Sequence, residues 1–149
     1  MDSITHVASI AQVIQLAVAP VFLLTGVGAT LNVFASRIGR IIDRARVMED
    51  QLTRSTPEVA AELHERLRVL SRRASLVNRA IGLSVTSGIL VALVVAALFV
   101  SAAFKIDLSM AIAAAFVIAL LTLVLALIYF LKEVFIATES LRFGANKKV

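Results

Sequence analysis

Residues 80–104 read AIGLSVTSGILVALVVAALFVSAAF, with no Asp, Glu, Lys or Arg among them. An α-helix rises about 1.5 Å per residue and the bilayer core is about 30 Å thick, so roughly 20 such residues cross it. Residues 7–35 and 108–131 are also uncharged and long enough. The fold class is therefore predicted to be all-α, an integral membrane protein with three transmembrane helices.

The charged residues predict how the chain is threaded through the bilayer. Residues 37–79 hold ten of the 15 basic residues, all arginines, against six acids. The connector at 105–107 has one Lys and one Asp, and the tail from 132 is again basic. Because positive loops stay cytoplasmic, we expect the N-terminus outside and the C-terminus in the cytoplasm. Residues 1–6 lack the basic start of a signal peptide, which favours an uncleaved first helix.

Five segments follow from this threading. They are an N-terminal segment with the first transmembrane helix (1–36), an arginine-rich cytoplasmic region (37–79), two further transmembrane helices (80–104 and 108–131) and a cytoplasmic tail (132–149). The first is too long for one straight crossing, and Pro20 lies near its middle. Either it is a single long helix, kinked at Pro20 and tilted, or residues 4–15 form a separate interfacial segment.

The arginine-rich region has its own helical pattern. Apolar residues recur there every three or four positions, which is typical of amphipathic helices with a coiled-coil-like seam. The seam residues are Ile38, Ile41, Ala45, Met48 and Leu52, then Val59, Leu63, Leu67, Leu70, Ala74 and Val77. Residues 53–58 interrupt the pattern, so we predict an antiparallel cytoplasmic helical hairpin. Two helices alone bury little surface, and we therefore expect a homo-oligomer.

Small and polar residues form a stripe along the first helix. Spacings of three, four and seven place them near one helical face. The candidates for lining a conduit are Ser9, Gln12, Gln15, Gly26 and Thr30. Polar groups within a bilayer usually face protein or water, so one hypothesis is a channel lined by this helix. The alternative is that these residues only hold neighbouring helices together.

A dense basic cluster follows the first apolar stretch. Its candidate contacts to an anion, a lipid or a partner are Arg37, Arg40, Asp43, Arg44 and Arg46. One Asp does not neutralise four arginines, which favours attraction to anionic phospholipid headgroups. We do not expect nucleic-acid binding, because the net charge of +5 follows the bias of a membrane topology.

The residues offer little for catalysis. Cys is absent, which excludes thiol nucleophiles and thiolate metal sites. His6 and His64 are isolated from each other in the sequence, and no acid, His or Lys lies within an apolar stretch. We expect no enzyme activity, no metal site and no cofactor.

Residues 31–46, LNVFASRIGRIIDRAR, have a familiar pattern. Together with the polar hairpin and two closely spaced spans, they make the chain resemble a family of small bacterial membrane proteins catalogued only as a domain of unknown function. The resemblance covers most of the chain and is most specific from Asn32 to Arg46. It implies a bacterial inner membrane and three spans, and it implies no activity.

Two hypotheses about function remain. The first is a homo-oligomeric, channel-like assembly in which the first helix lines a conduit. The second is a non-conducting membrane scaffold or assembly factor whose basic hairpin binds a partner protein or anionic lipid. The polar stripe favours the first, and the size of the hairpin favours the second.

Overall fold

The computed structural model describes the backbone of residues 2–145 and the side chains of residues 11–138. Within that range the chain forms three α-helices: α1 (Asp2–Leu52), α2 (Pro57–Phe104) and α3 (Ser109–Ala145). Each of the three contains a stretch long and apolar enough to cross a membrane. The chain is thus an all-helical, multi-pass membrane protein.

The first helix is continuous. It runs from Asp2 to Leu52 with Pro20 inside it, so no separate segment forms at residues 4–15. A proline within a helix removes one backbone hydrogen bond, which a long apolar helix tolerates. The second helix is also unbroken between its arginine-rich and apolar parts. The third continues past residue 131 to Ala145, so the start of the predicted tail is helical.

The turn between α1 and α2 occupies the predicted break. The amide of Ala60 donates to the carbonyl of Thr56 at 2.9 Å, which is the first bond of α2. Pro57 is the first helical residue, where its missing N–H costs nothing, and Glu58 lies in the first turn. The acidic side chain there interacts favourably with the positive end of the helix dipole.

The connector between α2 and α3 is a tight reversal. The amide of Ile106 donates to the carbonyl of Ser101 at 3.2 Å, a bond typical of a Schellman helix end. Lys105 takes the left-handed conformation that this motif needs, with φ of 56°. The carboxylate of Asp107 then accepts a hydrogen bond from the amide of Ser109 at 3.0 Å, so Asp107 caps the start of α3.

This cap makes the stability of α3 depend on pH. Hydrogen bonds from the side chain and then the backbone of Ser109 lower the pKa of Asp107 below its ordinary value. A lowered pKa means that the cap stabilises the fold above the unfolded pKa of about 3.9, and that this stabilisation is lost as the pH falls through the folded pKa. We expect Asp107→Ala to lower the thermal midpoint at pH 7 and to differ less from the wild type near pH 3.

Thermal unfolding followed by circular dichroism in mild detergent checks this expectation. Asp107→Asn is the matched control, because it keeps an acceptor oxygen but cannot titrate. A deficit of Asp107→Ala that is equal at both pH values would contradict a carboxylate cap.

The helices pack in two compact units, of which the first comprises Met1–Leu31 and Leu83–Val124. Its fully buried residues include Ser84, Ser87 and Ala119. The hydroxyl of Ser87 donates to the carbonyl of Ala119 at 2.7 Å and so joins α2 to α3. Small residues that repeat every four positions along the apolar helices suggest where these helices approach closely. Of these, Ala119 is buried at this contact, whereas Ala92 and Ala96 are exposed.

The second unit comprises Asn32–Gly82 and Leu125–Val149. Its buried cluster contains Phe34, Ile41, Leu70, Val77 and Ala80. The partly buried residues packed against it are Ile38, Ala45, Met48, Ala74, Ile81, Tyr129 and Phe130. Most of the predicted seam thus packs together, and α3 adds Tyr129 and Phe130. The seam residues outside this cluster are Leu52, Val59, Leu63 and Leu67, of which Val59 is 50% exposed.

Candidate functional site

A buried carboxylate lies in the second unit. Glu133, on α3, has no solvent exposure. Its Oε1 accepts hydrogen bonds from Arg73 of α2, at 3.0 Å from Nε and 2.8 Å from Nη2. Arg37 of α1 approaches the other oxygen, with 3.7 Å between Nη1 and Oε2. One residue from each of the three helices therefore meets in this charged cluster, which we call the Glu133 cluster.

Burial makes the Glu133 cluster energetically sensitive. The side chain of Arg73 is 11% exposed and that of Arg37 is 34% exposed. Removing charges from water is costly, and a buried charge persists only when it is paired and hydrogen-bonded. Among the residues whose side chains are described, none donates a hydrogen bond to Oε2 of Glu133. Arg37 is therefore the more loosely held of the two arginines.

Aromatic rings support the same cluster. Phe34 and Phe130 stack with their centroids 4.6 Å apart and their planes tilted by 37°. The guanidinium carbon of Arg37 lies 5.7 Å from the centroid of the Phe130 ring, within the range of a cation–π contact. Arg37 thus lies near both the Phe130 ring and the Glu133 carboxylate.

A second aromatic contact involves the neighbouring residue. Arg79 and Lys132 lie 6.0 and 5.8 Å from the Tyr129 ring. A tyrosine near two cations is typical of the boundary between apolar and polar surroundings.

A basic pocket adjoins the Glu133 cluster. It has a volume of about 400 Å³. The residues that line it are Arg37, Arg40, Ile41, Asp43, Arg44, Arg73 and Ala137. The three arginines of α1 are spaced by three and four residues, which places them on one helical face. Arg37 and Arg73 belong to both the pocket and the Glu133 cluster, so the basic pocket shares two of its cations with a buried anion.

The predicted basic contacts are divided by this geometry. Arg37, Arg40, Asp43 and Arg44 line the basic pocket, whereas Arg46 is exposed and does not. Arg40 also donates from Nη2 to the hydroxyl of Ser36 at 3.1 Å. Over residues 11–138, no ion pair joins Asp43 to Arg40 or Arg46. Their roles in binding stay predictions.

The predicted conduit residues do not converge within the chain. Gln12, Gln15 and Gly26 are exposed, and Thr30 donates to the carbonyl of Val27 at 2.7 Å along its own helix. Ser9 lies in α1, but outside the residues whose side chains are described. A lined path would therefore require several copies of the chain.

Metal binding has no evident site in the described part of the chain. There, no three side chains among His, Cys, Asp and Glu are grouped as metal ligands would be. The chemistry that the described residues do present is cationic and hydrogen-bond donating.

Most of the chain matches a known protein family. A family model, DUF2721, a protein of unknown function, matches residues 17–143. The chain belongs to the DUF2721 family. The matched range includes Arg37, Arg73 and Glu133, and it confirms the resemblance seen between residues 31 and 46. No curated protein and no solved structure matches the chain.

Sequence reasoning missed Glu133 and Arg73 in this DUF2721 chain. Lys132 ends the last apolar stretch, and the residues after it read as a solvated tail. One signal was available: no Gly or Pro interrupts residues 108–143, so α3 could be expected to continue. Glu133 follows Tyr129 and Phe130 by one helical turn. A continuing helix therefore places Glu133 on the same face as these two rings.

Proposed function

We propose that this protein is a non-conducting scaffold of the bacterial inner membrane whose arginine-rich helices bind anionic lipid headgroups. The observation that supports it best is the basic pocket, where arginines of α1 and α2 line one cavity. Arg37 follows the first apolar stretch after a single residue, so these arginines fall where headgroups lie. Guanidinium groups bind phosphate oxygens in a bidentate manner.

The proposed orientation places the basic pocket in the cytoplasm. The N-terminus and the connector at 105–107 are then outside, and the arginine-rich helices and the C-terminus are inside. Since the chain contains no Cys, a cysteine introduced at Ile106 should react from outside with an impermeant reagent. Labelling that required permeabilisation would contradict this orientation.

Assembly into a homo-oligomer is part of the proposal. Val47 and Val59 are 57% and 50% exposed on the arginine-rich helices, where lipid would not cover them. They line a groove that also contains Asp50, Arg54 and Glu62, among other residues. Exposed apolar side chains among charges of both signs suit contact with a second copy of the same surface.

The lipid preference and the absence of conduction can be tested together. We expect native mass spectrometry in mild detergent to retain anionic phospholipid on the protein over zwitterionic lipid. Liposomes containing the protein should show no ion flux above empty liposomes, because the proposed scaffold does not conduct. Equal retention of the two lipid classes would contradict headgroup binding, and reproducible flux would contradict the non-conducting role.

A channel is the second candidate, because Gln12 and Gln15 are exposed in a helix that has no charged residue from 7 to 35. In an assembly of several copies, α1 would bring these amides together around a conduit. Flux in the liposome experiment that Gln15→Leu reduced, with assembly unchanged, would favour this candidate.

A further inference from the structure

We infer that the basic pocket binds a single phosphate dianion, either a phosphomonoester headgroup or free phosphate. The inference deepens the proposed function and rests on it for the lipid source of the ligand. The site includes Arg73 as well as the predicted arginines of α1, and it holds one ligand. It prefers a dianion to the monoanionic diester of most anionic lipids.

The basic pocket has a surplus of positive charge. Four arginines line it. They face two acids, since Asp43 also lines the pocket and Glu133 pairs with Arg73 and Arg37. Four positive charges against two negative charges leave a surplus of two. A phosphomonoester carries about −1.5 to −2 at pH 7 and matches that surplus, whereas a phosphodiester carries only −1.

Two arginines of the basic pocket, Arg37 and Arg73, have N–H donors that are not bonded to Glu133. A guanidinium has five N–H donors, and Arg73 directs one from Nε and one from Nη2 to Glu133. Its Nη1 donors lie outside that pair. Arg37 stands 3.7 Å from Glu133, too far for a hydrogen bond, so its donors can turn to a ligand. Arg40 and Arg44 are exposed and complete the lining on α1.

The buried Glu133 holds the guanidinium of Arg73 in place for a ligand. The two hydrogen bonds that Arg73 donates to Glu133 fix the plane of its guanidinium, and the guanidinium of Arg37 contacts the Phe130 ring. Fixing a side chain before binding reduces the entropy lost on binding. Glu133 thus acts as a positioning residue for the ligand. The cavity of about 400 Å³ suits a small ligand or one headgroup.

The test uses the full chain in nanodiscs of zwitterionic lipid. Inorganic phosphate is titrated by calorimetry, with chloride as the monovalent control ion. In a second arm, native mass spectrometry compares retention of phosphatidic acid, a phosphomonoester, with phosphatidylglycerol, a diester. We expect phosphatidic acid to be retained preferentially if the ligand is a headgroup, and phosphate to bind alone if it is free phosphate.

Matched variants assign the effect to the basic pocket. Arg40→Gln and Arg44→Gln should each weaken binding about tenfold, the loss expected for one charge-assisted contact. Arg46→Gln is the control, since it removes the same charge from the same helix but does not line the pocket. All three residues are exposed, so equal thermal midpoints should confirm that the fold is intact.

The outcomes separate this inference from the proposed function. Equal losses for Arg46→Gln and Arg44→Gln, or equal retention of phosphatidic acid and phosphatidylglycerol without phosphate binding, would overturn the dianion site and leave general headgroup binding in place. Retention of no anionic lipid together with pocket-dependent phosphate binding would overturn the proposed function and support free phosphate as the ligand.

Discussion

Replacing Arg73 by leucine is expected to lower the free energy of unfolding by about 3–5 kcal/mol, because it leaves Glu133 buried without its hydrogen-bonding cation. Arg37 cannot compensate, since it lies 3.7 Å from the other carboxylate oxygen and is the more exposed partner. Unfolding by titration of a denaturing detergent, followed by circular dichroism, measures the loss.

Two further variants make this prediction specific. Arg72→Leu removes the same charge from an exposed neighbouring position and should change stability by no more than about 0.5 kcal/mol. The double variant Arg73→Leu with Glu133→Leu should recover much of the loss, because no unpaired charge remains buried. Equal effects of Arg73→Leu and Arg72→Leu would show that the Glu133 cluster does not stabilise the fold.

Phe34→Ala is expected to lower the free energy of unfolding by about 3–5 kcal/mol, the usual loss for a large core aromatic. Phe34 is 1% exposed, belongs to the buried cluster of the second unit and stacks on Phe130. Removing its ring leaves a cavity and also frees Phe130, against which Arg37 is placed. The same detergent titration applies.

Phe135→Ala is the control for this variant. Phe135 lies on α3 in the same unit, but is 63% exposed. Its truncation creates no cavity, so we expect a change well under half of that for Phe34→Ala. A similar loss for the two variants would mean that the stacked pair is not the centre of packing in this unit.

Helix existence and helix ends were predictable because they depend on local chemistry. Uncharged stretches predicted the apolar parts of α1, α2 and α3, and the break at residues 53–58 predicted the turn between α1 and α2. The seam of the arginine-rich helices also emerged, since a period of three and four residues fixes which side chains share a face.

The contacts between apolar helices were not predictable in the same way. Inside a bilayer both lipid and protein neighbours are apolar, so the spacing of Ala92 and Ala96 does not reveal which face meets another helix. Ser84 and Ser87 proved to be buried instead.

The candidate site was half predictable. Arg37, Arg40 and Arg44 share a face within one local segment, and the surplus of charge there pointed to an anion. Arg73 and Glu133 join them only through tertiary packing. The two are 60 residues apart, and nothing in the local sequence of either indicates the other.

The residues of the Glu133 cluster are synthesised at different times. Its two arginines lie on the helices made first, and its only carboxylate lies on the helix made last. At about 5–20 residues per second, the 60 residues from Arg73 to Glu133 take roughly 3–12 s to translate. During that interval the nascent chain contains Arg37 and Arg73 but not the carboxylate of Glu133 that pairs with them. A message truncated before codon 133 would produce a chain in which Arg37 and Arg73 never meet this carboxylate. We expect that truncated chain to be more susceptible to proteolysis.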